Sequence, residues 1–260
     1  MTAKKNEKAL AEAKNNLPTT AAALESFAGQ GFEQADASAF AIPFLRILQS
    51  NSPQVNEDDE SYIKGAKPGM FYNSVTGETF GKEILVIPFF YARDFIEWLP
   101  NRGGFVCSHG KDPAILQQVT HVDERNNQFL PNGNVIQDFR NHYILLPESL
   151  NSGPMVFSLA STGIKHSRKW MTMMSNLMLP DSNYKAPMFG AVWRIGTVLN
   201  KNDDGQWYQI GDKTATNVKF ERWISSDELT YALSAKKMMD RITVDYSTLA
   251  DDDKEEKEVF

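Results

Sequence analysis

The chain has 260 residues, of which 42% are hydrophobic and 11% aromatic, and its formal net charge is -6. This composition excludes a wholly disordered chain, because the apolar surface buried on folding can offset the lost conformational entropy. No apolar run approaches the roughly 18 to 20 residues that cross a bilayer, and the N-terminal segment lacks the apolar region of a signal peptide. The single cysteine, Cys107, fits a reducing compartment. We therefore expect a globular cytoplasmic protein with no membrane partner.

The net charge conceals an uneven distribution. Residues 57–60 are all acidic, and residues 250–260 hold six acids and two lysines. Between residues 61 and 223, by contrast, 17 basic residues outnumber 14 acidic ones, and all five tryptophans lie in this stretch. Nucleic-acid-binding domains usually carry an excess of Lys and Arg. The total charge is therefore poor evidence against such a partner, because the aromatic-rich body is itself mildly basic.

The pattern along the chain predicts a mainly β protein with a few helices. Residues 1–37 contain few large apolar side chains and predict a flexible N-terminal arm. Over residues 38–224, short runs bounded by Gly, Pro, Asn and Asp are typical of an antiparallel sandwich or barrel. The predicted strands are residues 70–74, 78–80, 83–98, 139–146, 155–160, 191–199 and 206–210. If Pro88 marks an edge or a bulge, period-two alternation in the long run predicts one shared face for Leu85, Ile87, Phe89, Tyr91, Arg93 and Phe95.

Two helices are predicted to interrupt the strands. Over residues 163–178 an apolar face recurs at helical spacing, and a stripe of cations lies beside it, formed by Lys165, Arg168 and Lys169. The second helix begins at Ser225 or Ser226, where Ser225 and Glu228 fit a capping box, and reaches about residue 242. This helix and its linker, residues 225–249, lead to an acidic tail, residues 250–260.

Motifs for catalysis are lacking in the sequence. It contains no GxxxxGK[ST] loop, no GxGxxG, no GxSxG elbow and no HExxH helix. A metal-dependent nuclease is a minor alternative, in which Cys107 and His109 are alternate ligands from one loop and His121 or His142 supplies more. Zinc sites usually show denser Cys and His spacing, which favours an ordinary thiol here. We therefore expect no enzymatic activity, no cofactor and no metal.

Aromatic and cationic side chains are interleaved in the body of the chain. Flat rings stack on unpaired bases while cations meet the phosphates between them, so this mixture indicates a surface for single-stranded DNA. The segments that carry it are residues 89–102, the first helix and the pair at 193–194. The candidate contacts are Tyr91, Arg93, Phe95, Trp98, Arg102, Lys165, Arg168, Lys169, Trp170, Trp193 and Arg194.

The tail is the most specific feature of the sequence. Its acids, Asp251, Asp252, Asp253, Glu255, Glu256 and Glu258, are followed by an aromatic residue, Phe260. A purely solvating tail has no use for a large apolar side chain, whereas a docking peptide inserts such a ring into a pocket with a basic rim. We expect the tail to bind partner proteins, and to occupy the DNA groove when DNA is absent.

These features together resemble the single-stranded-DNA-binding proteins of bacteriophages, especially those of the podophage replication type. The resemblance rests on the acidic tail with Phe260, the helix before it, and the body segments at residues 63–69, 76–78 and 161–170. It implies an oligonucleotide-binding (OB) barrel, a tail that recruits replication or recombination proteins and competes with DNA, and the cytoplasm of an infected bacterial host. The chain lacks the terminal Pro-Phe and the Gly- and Gln-rich linker of the bacterial proteins, so the identity of the tail's partner does not follow.

Two other functions fit the same sequence. The protein is alternatively a structural component of the phage particle, or a recombination factor that anneals complementary strands. The sequence leaves open whether the chain forms a homo-oligomer.

Overall fold

The structure is a computed structural model, and it describes residues 30, 42–124, 126–203, 205–239, 244–247 and 249, with the side chain of Arg102 left out. The predicted arm at residues 1–37, except Gln30, and the predicted tail at residues 250–260 therefore lie outside the described residues. No helix within the described ranges is long and apolar enough to cross a membrane.

The described residues form a mainly antiparallel β structure. The strands are β1 (Leu45–Ile47), β2 (Phe71–Asn73), β3 (Glu83–Trp98), β4 (Phe105–Ser108), β5 (His121–Val122), β6 (Gln128–Phe129), β7 (Val135–Leu145), β8 (Met155–Ala160), β9 (Ala191–Gly196), β10 (Val198–Asn202), β11 (Gly205–Gln209) and β12 (Val218–Trp223). Two α-helices accompany them, α1 (Ile164–Asn176) and α2 (Ser226–Met238). The predicted class, mainly β with few helices, is confirmed, and the main sheet is a strongly curled antiparallel half-barrel.

The main sheet has eight strands in this part of the chain. Six follow the order β12-β9-β3-β7-β6-β5, while β4 pairs with β3 and β8 pairs with β7. Two further hairpins, β1–β2 and β10–β11, form small two-stranded sheets. The central strand β3 is long because it pairs with β9 at one end and β4 at the other, and with β7 along most of its length.

A bulge in β3 changes which side chains share a face. The register with β7 shifts between Pro88, opposite Ile144, and Phe90, opposite Tyr143, so β3 carries one extra residue at this point. The sequence leaves an edge or a bulge open at Pro88; the structure has the bulge, and its effect on alternation corrects the predicted shared face. Leu85, Ile87 and Phe89 pack on one face together with Phe90 and Ala92. The side chains of Tyr91, Arg93 and Phe95 consequently point to the opposite face.

Both faces of the sheet are covered by apolar cores. Strand β8 shows the division, because Met155, Phe157 and Leu159 enter one core while Val156 and Ala160 enter the other. The first core contains Trp170 and Met174 of α1, and we call its side of the sheet the α1 face. The second contains Ala232 and Ala235 of α2, and we call its side the α2 face. Because each face of the sheet is buried at a different place along the strands, the alternation of side chains between the two faces does not tell buried residues from exposed ones.

Helix α2 begins with the predicted capping box. The Ser225 hydroxyl accepts from the backbone N–H of Glu228, and the Glu228 carboxylate accepts from the backbone N–H of Ser225. The same carboxylate receives both Nη atoms of Arg222, at 2.7 and 2.8 Å. The hydrogen bonds from Arg222, opposed by burial and reinforced by Ser225, lower the pKa of Glu228 to about 2. The junction between β12 and α2 is thus held by a charged, hydrogen-bonded cap.

Candidate nucleic-acid interface

A half-buried row of polar side chains lies on the α1 face where β3 and β7 pair. It consists of Tyr91, Arg93, Asp138 and Arg140, which we call the polar strip. Arg93 donates through Nε and Nη2 to the two oxygens of Asp138, at 2.9 and 2.7 Å. Arg140 donates through Nη2 to Asp138 at 2.6 Å and through Nη1 to the Tyr91 hydroxyl at 3.2 Å. The strip is therefore a preorganised network with fixed side-chain positions.

Two arginines share one carboxylate in the polar strip, so it carries an excess positive charge. Burial lowers the pKa of Arg140, but hydrogen bonds to Tyr91 and Asp138 outweigh burial and raise it. The side chains of Arg93 and Asp138 remain 29% and 18% exposed. An anion approaching this face therefore meets a guanidinium that solvent can reach and whose position is already set.

Apolar clusters close the two ends of the polar strip. At one end, Phe95 is fully buried in a cluster with Ile115, Leu130 and Ile136, and the Arg93 guanidinium lies 4.3 Å from the centre of its ring. The 3-10 helix Pro113–Gln118 supplies Ile115 to this cluster. The exposed part of the strip is consequently a short polar surface between two regions of packed side chains.

The other end of the strip leads to α1 through a chain of rings. The ring of Tyr91 meets that of His142 edge to face at 5.2 Å, and His142 stacks on Trp170 of α1 at 4.6 Å. His142 is fully buried and its Nε2 lies 2.8 Å from the Ser167 hydroxyl of α1. Burial lowers the pKa of His142 to about 3. A neutral imidazole thus connects the polar strip to the helix that carries the predicted cations.

The α1 cations, Lys165, Arg168 and Lys169, lie on the exposed side of this helix. Arg168 and Lys169 are exposed and Lys165 is half-buried. Lys169 donates to the backbone carbonyl of Thr214 at 3.0 Å. Burial, together with the charges of Lys165 and Lys169, lowers the pKa of His166 to about 4. The cations therefore sit between the solvent and a buried, neutral histidine.

The loop between β11 and β12 packs against this part of α1. The Nδ1 atom of His166 lies 2.9 Å from the Thr216 hydroxyl. Gly211 has a φ of +153°, and a Cβ atom there would lie 2.5 Å from the His166 ring. Hydrogen bonds from Thr214 and Ala215, with a contribution from Lys165, lower the pKa of Asp212 to about 2. Asp212 thus offsets part of the positive charge of α1.

Most of the rings predicted to stack on bases are buried in the structure. Phe95, Trp98, Trp170 and Trp193 are 0%, 8%, 0% and 2% exposed. Stacking needs a free ring face, so these four side chains act as core residues and the predicted role in base contact is corrected. Of the aromatic candidates, Tyr91 alone keeps partial exposure. Trp98 packs on Phe105 and Phe139, and Trp193 packs on Phe220.

The structure does not bring all the predicted cations together. Arg194 of β9 lies on the α2 face, because its neighbours Trp193 and Ile195 both enter the core of the α1 face. It forms a bidentate ion pair with Glu221 of β12, at 2.8 and 2.7 Å. Arg194 is therefore separated by the sheet from Arg93 and Arg140. The side chain of Arg102 and the tail residues lie outside the described residues.

Sequence reasoning missed two residues of this face, Arg140 and Asp138, and one exposed aromatic side chain, Tyr184. Arg140 and Asp138 are placed beside Arg93 and Phe95 only by the β3–β7 register, which no local motif reveals. Tyr184, in the loop after α1, is 77% exposed and offers a free aromatic ring. A search for aromatic residues between turn residues would have found Tyr184.

The segment before the tail is anchored on the α2 face. The Tyr246 hydroxyl donates to Asp94, and the side chain of Asn141 is hydrogen-bonded to both. Burial and the hydrogen bond to Asp94 raise the pKa of Tyr246. Leu249 packs against the same core. The chain therefore enters the tail from the face opposite the polar strip.

A second polar cluster lies at the end of β3. Glu97, Cys107 and His109 approach one another closely enough for their ligand atoms to lie within 4.8 Å. Neither His121, stacked on Phe129, nor the buried His142 belongs to this group. Burial opposes the charge of Glu97, but hydrogen bonds from Asn134, Asn132, His109 and Cys107 outweigh it and lower the pKa of Glu97 to about 2. Of the described residues, this cluster has the donor set best suited to a metal ion.

Comparison with protein families shows to which family the chain belongs. The model of the Pam3 phage gp34-like proteins matches residues 11–243. The chain belongs to this family. The match spans every described strand, the polar strip and both helices, and the chain is a bacteriophage protein. No curated protein and no solved structure matches it.

Proposed function

We propose that this Pam3 phage gp34-like protein binds single-stranded DNA on its α1 face, without strong sequence preference and without a catalytic step. The observation that carries the proposal is the balance of charge on that face. Its cations are Arg93, Arg140, Lys165, Arg168 and Lys169. Of the described carboxylates, Asp138 and Asp212 pair with them or act on them, and Glu97, in the same row of β3, is hydrogen-bonded to its own neighbours instead. An excess of cations beside an accessible ring is the arrangement that single-strand binding requires.

The geometry favours backbone recognition over base readout. Asp138 holds the guanidinium groups of Arg93 and Arg140 in fixed orientations through Nε and Nη2 of Arg93 and Nη2 of Arg140, so a phosphate oxygen would meet a positioned positive charge and the remaining Arg93 donors. Phosphate contacts position a strand without reading its sequence. We therefore expect affinity to depend strongly on salt and weakly on base composition.

The exposed aromatic surface favours unpaired bases. Tyr91 lies within the polar strip beside two arginines, and Tyr184, in the loop after α1, is 77% exposed. Stacking of one base on such a ring stabilises a complex by roughly 1 to 3 kcal/mol. In a duplex the faces of the bases are already stacked on neighbouring base pairs, so a duplex of the same length should bind less tightly.

The acidic tail supports a regulatory part of the proposal. Tyr246 and Leu249 hold the start of the tail on the α2 face. Ten extended residues span at most about 36 Å, which is enough to pass around two strands at about 4.8 Å spacing and one sheet thickness of about 10 Å. The tail would compete for the α1 cations and, once displaced by DNA, present Phe260 to replication or recombination proteins of the phage.

A titration of labelled oligothymidylate tests the proposal. Fluorescence anisotropy of the labelled strand is the suitable signal, because Trp98, Trp170 and Trp193 are too buried to report on stacking. We expect binding that weakens steadily with added salt, and weaker binding of a duplex of equal length at every salt concentration. Equal affinity for the duplex, or no binding at low salt, would contradict the proposed function.

A further inference from the structure

A cluster of three different potential ligands closes the end of the β3–β4 hairpin. Glu97 of β3 pairs in register with Cys107 of β4, and His109 follows two residues later. The His109 Nε2 atom lies 2.7 Å from Glu97 Oε2 and 3.5 Å from Cys107 Sγ, and Sγ lies 3.7 Å from Oε2. All three ligand atoms therefore converge on one point between the hairpin strands.

The separations of these atoms match the edges of a tetrahedral zinc site. Bond lengths of about 2.3 Å to sulfur, about 2.0 Å to nitrogen and about 2.1 Å to oxygen give tetrahedral edges of about 3.6 Å from sulfur and about 3.4 Å between nitrogen and oxygen. The two observed distances from Cys107 Sγ, 3.5 and 3.7 Å, already agree with this geometry. Only His109 and Glu97 have to separate, by about 0.7 Å, as a metal replaces the hydrogen bond between them.

Hydrogen bonds orient the carboxylate toward the cluster. Glu97 is 5% exposed, and its Oε1 atom accepts from the side-chain amides of Asn132 at 2.8 Å and Asn134 at 2.5 Å. These two bonds occupy one oxygen and leave Oε2 directed at Cys107 and His109. Neighbouring polar groups orient metal ligands in the same way in established sites.

The donor set and its exposure indicate both the ion and its coordination. Thiolate, imidazole and carboxylate together suit Zn²⁺, whereas Mg²⁺ and Ca²⁺ prefer oxygen ligands. Cys107 and His109 are half-buried at the rim of the hairpin, so solvent can reach a fourth position. We propose that Glu97, Cys107 and His109 bind one Zn²⁺ ion, with water as the fourth ligand.

Binding at this place has a structural consequence for the α1 face. Tyr91, Arg93, Phe95 and Glu97 are alternate residues of β3, so the cluster lies at the end of the row that contains the polar strip. A metal ion would fasten β4 to β3 beside this row. The inference rests on the cluster alone and does not depend on DNA binding.

Titration of the full-length, reduced protein with Co²⁺ tests the proposal, because a cobalt–thiolate bond produces a charge-transfer absorption band. We expect the band to saturate at one ion per chain, to disappear in Cys107→Ser, and to be displaced by Zn²⁺. His109→Ala should weaken binding by about tenfold or more, and it decides the result if Cys107→Ser fails to fold. His121→Ala, outside the cluster, should bind Co²⁺ as the unsubstituted protein does.

Zinc should also stabilise the fold through mass action. We expect Zn²⁺ to raise the melting temperature of the unsubstituted protein and of His121→Ala, and to raise that of His109→Ala clearly less at the same Zn²⁺ concentration. Failure of the absorption band to saturate, or binding by His109→Ala as tight as that of the unsubstituted protein, would overturn the proposed site.

Discussion

Replacing Arg93 with Gln tests whether DNA binds the α1 face. The substitution removes one charge from the polar strip, while Asp138 keeps its hydrogen bond from Arg140 at 2.6 Å, so the strip loses a phosphate partner without leaving its carboxylate isolated. Each phosphate contact to a single strand contributes about 0.7 to the slope of log K against log salt. One lost contact should therefore lower the slope by about 0.7 and weaken binding about fivefold at ~0.1 M monovalent salt.

Arg194→Gln is the matched control for this experiment. Arg194 also forms a bidentate, cross-strand pair with a carboxylate, Glu221, but on the α2 face. Affinity for labelled oligothymidylate would be measured by anisotropy between about 50 and 300 mM salt, with melting temperatures to confirm that both variants fold. We expect Arg194→Gln to change affinity less than about twofold and to leave the slope unchanged. Equal losses in the two variants, or an unchanged slope in Arg93→Gln, would refute the assignment of the α1 face.

Three further predictions concern the tail and the stability of the fold. Deleting residues 250–260 should raise affinity for oligothymidylate, most strongly at low salt where the competing charges are least screened; unchanged or lower affinity would exclude the competitive role. Glu228→Gln should cost about 2 kcal/mol in urea unfolding at pH 7, since the lowered pKa of Glu228 corresponds to about 3 kcal/mol before screening of the half-exposed Arg222. Because that pKa is lowered from 4.5 to about 2, the difference should shrink as the pH falls through this window, and a constant difference would count against the ion pair. Burial lowers the pKa of His142 to about 3, so the free energy of unfolding should fall by up to about 1.4 kcal/mol per pH unit as the pH drops below 6.5. The stability of His142→Gln should therefore depend less on pH over this range. An equally steep dependence would contradict a buried neutral imidazole.

The sequence predicted several elements well because their patterns are local. The run at residues 83–98 coincides with β3, and the capping box of Ser225 and Glu228 begins α2. Both depend on neighbouring residues alone, either a continuous apolar run between turn residues or two side chains three positions apart. Strands β1, β4, β5, β6 and β12 were not predicted, and four of these are only two to four residues long, so their patterns are too short to recognise.

The faces of the strands were harder to predict than the strands themselves. The sequence indicates an edge or a bulge at Pro88. The structure has a bulge, and its one inserted residue reverses the alternation beyond it, so Tyr91 and Arg93 point to the opposite face of the sheet from Ile87. Alternation also failed for Trp98 and Trp193, because each face of this sheet is covered by its own core. Trp170 is four residues from Met174, and both are buried, so helical spacing alone could have placed this tryptophan in the core.

The polar network and the metal cluster depend on strand register. Arg140 meets Tyr91, and Asp138 meets Arg93, because β7 pairs antiparallel with β3, and Glu97 meets Cys107 because β3 pairs with β4. Tyr91 and Arg140 are 49 residues apart in the sequence, and Glu97 and Cys107 are 10 apart, so neither contact follows from a local sequence motif. Sequence spacing suggested Cys107 and His109 as a pair, but it offered no reason to add Glu97 to them.

Cross-linking of a single strand to the protein tests the central claim most directly. The protein would be irradiated with oligothymidylate that carries a photoreactive base, and the linked peptides would be identified by mass spectrometry. The account predicts cross-links in the β3 segment that contains Tyr91 and in α1 or the following loop with Tyr184, and their loss at high salt. Cross-links confined to the surface around Arg194 on the α2 face, or none under conditions where a known single-strand-binding protein is linked, would contradict it.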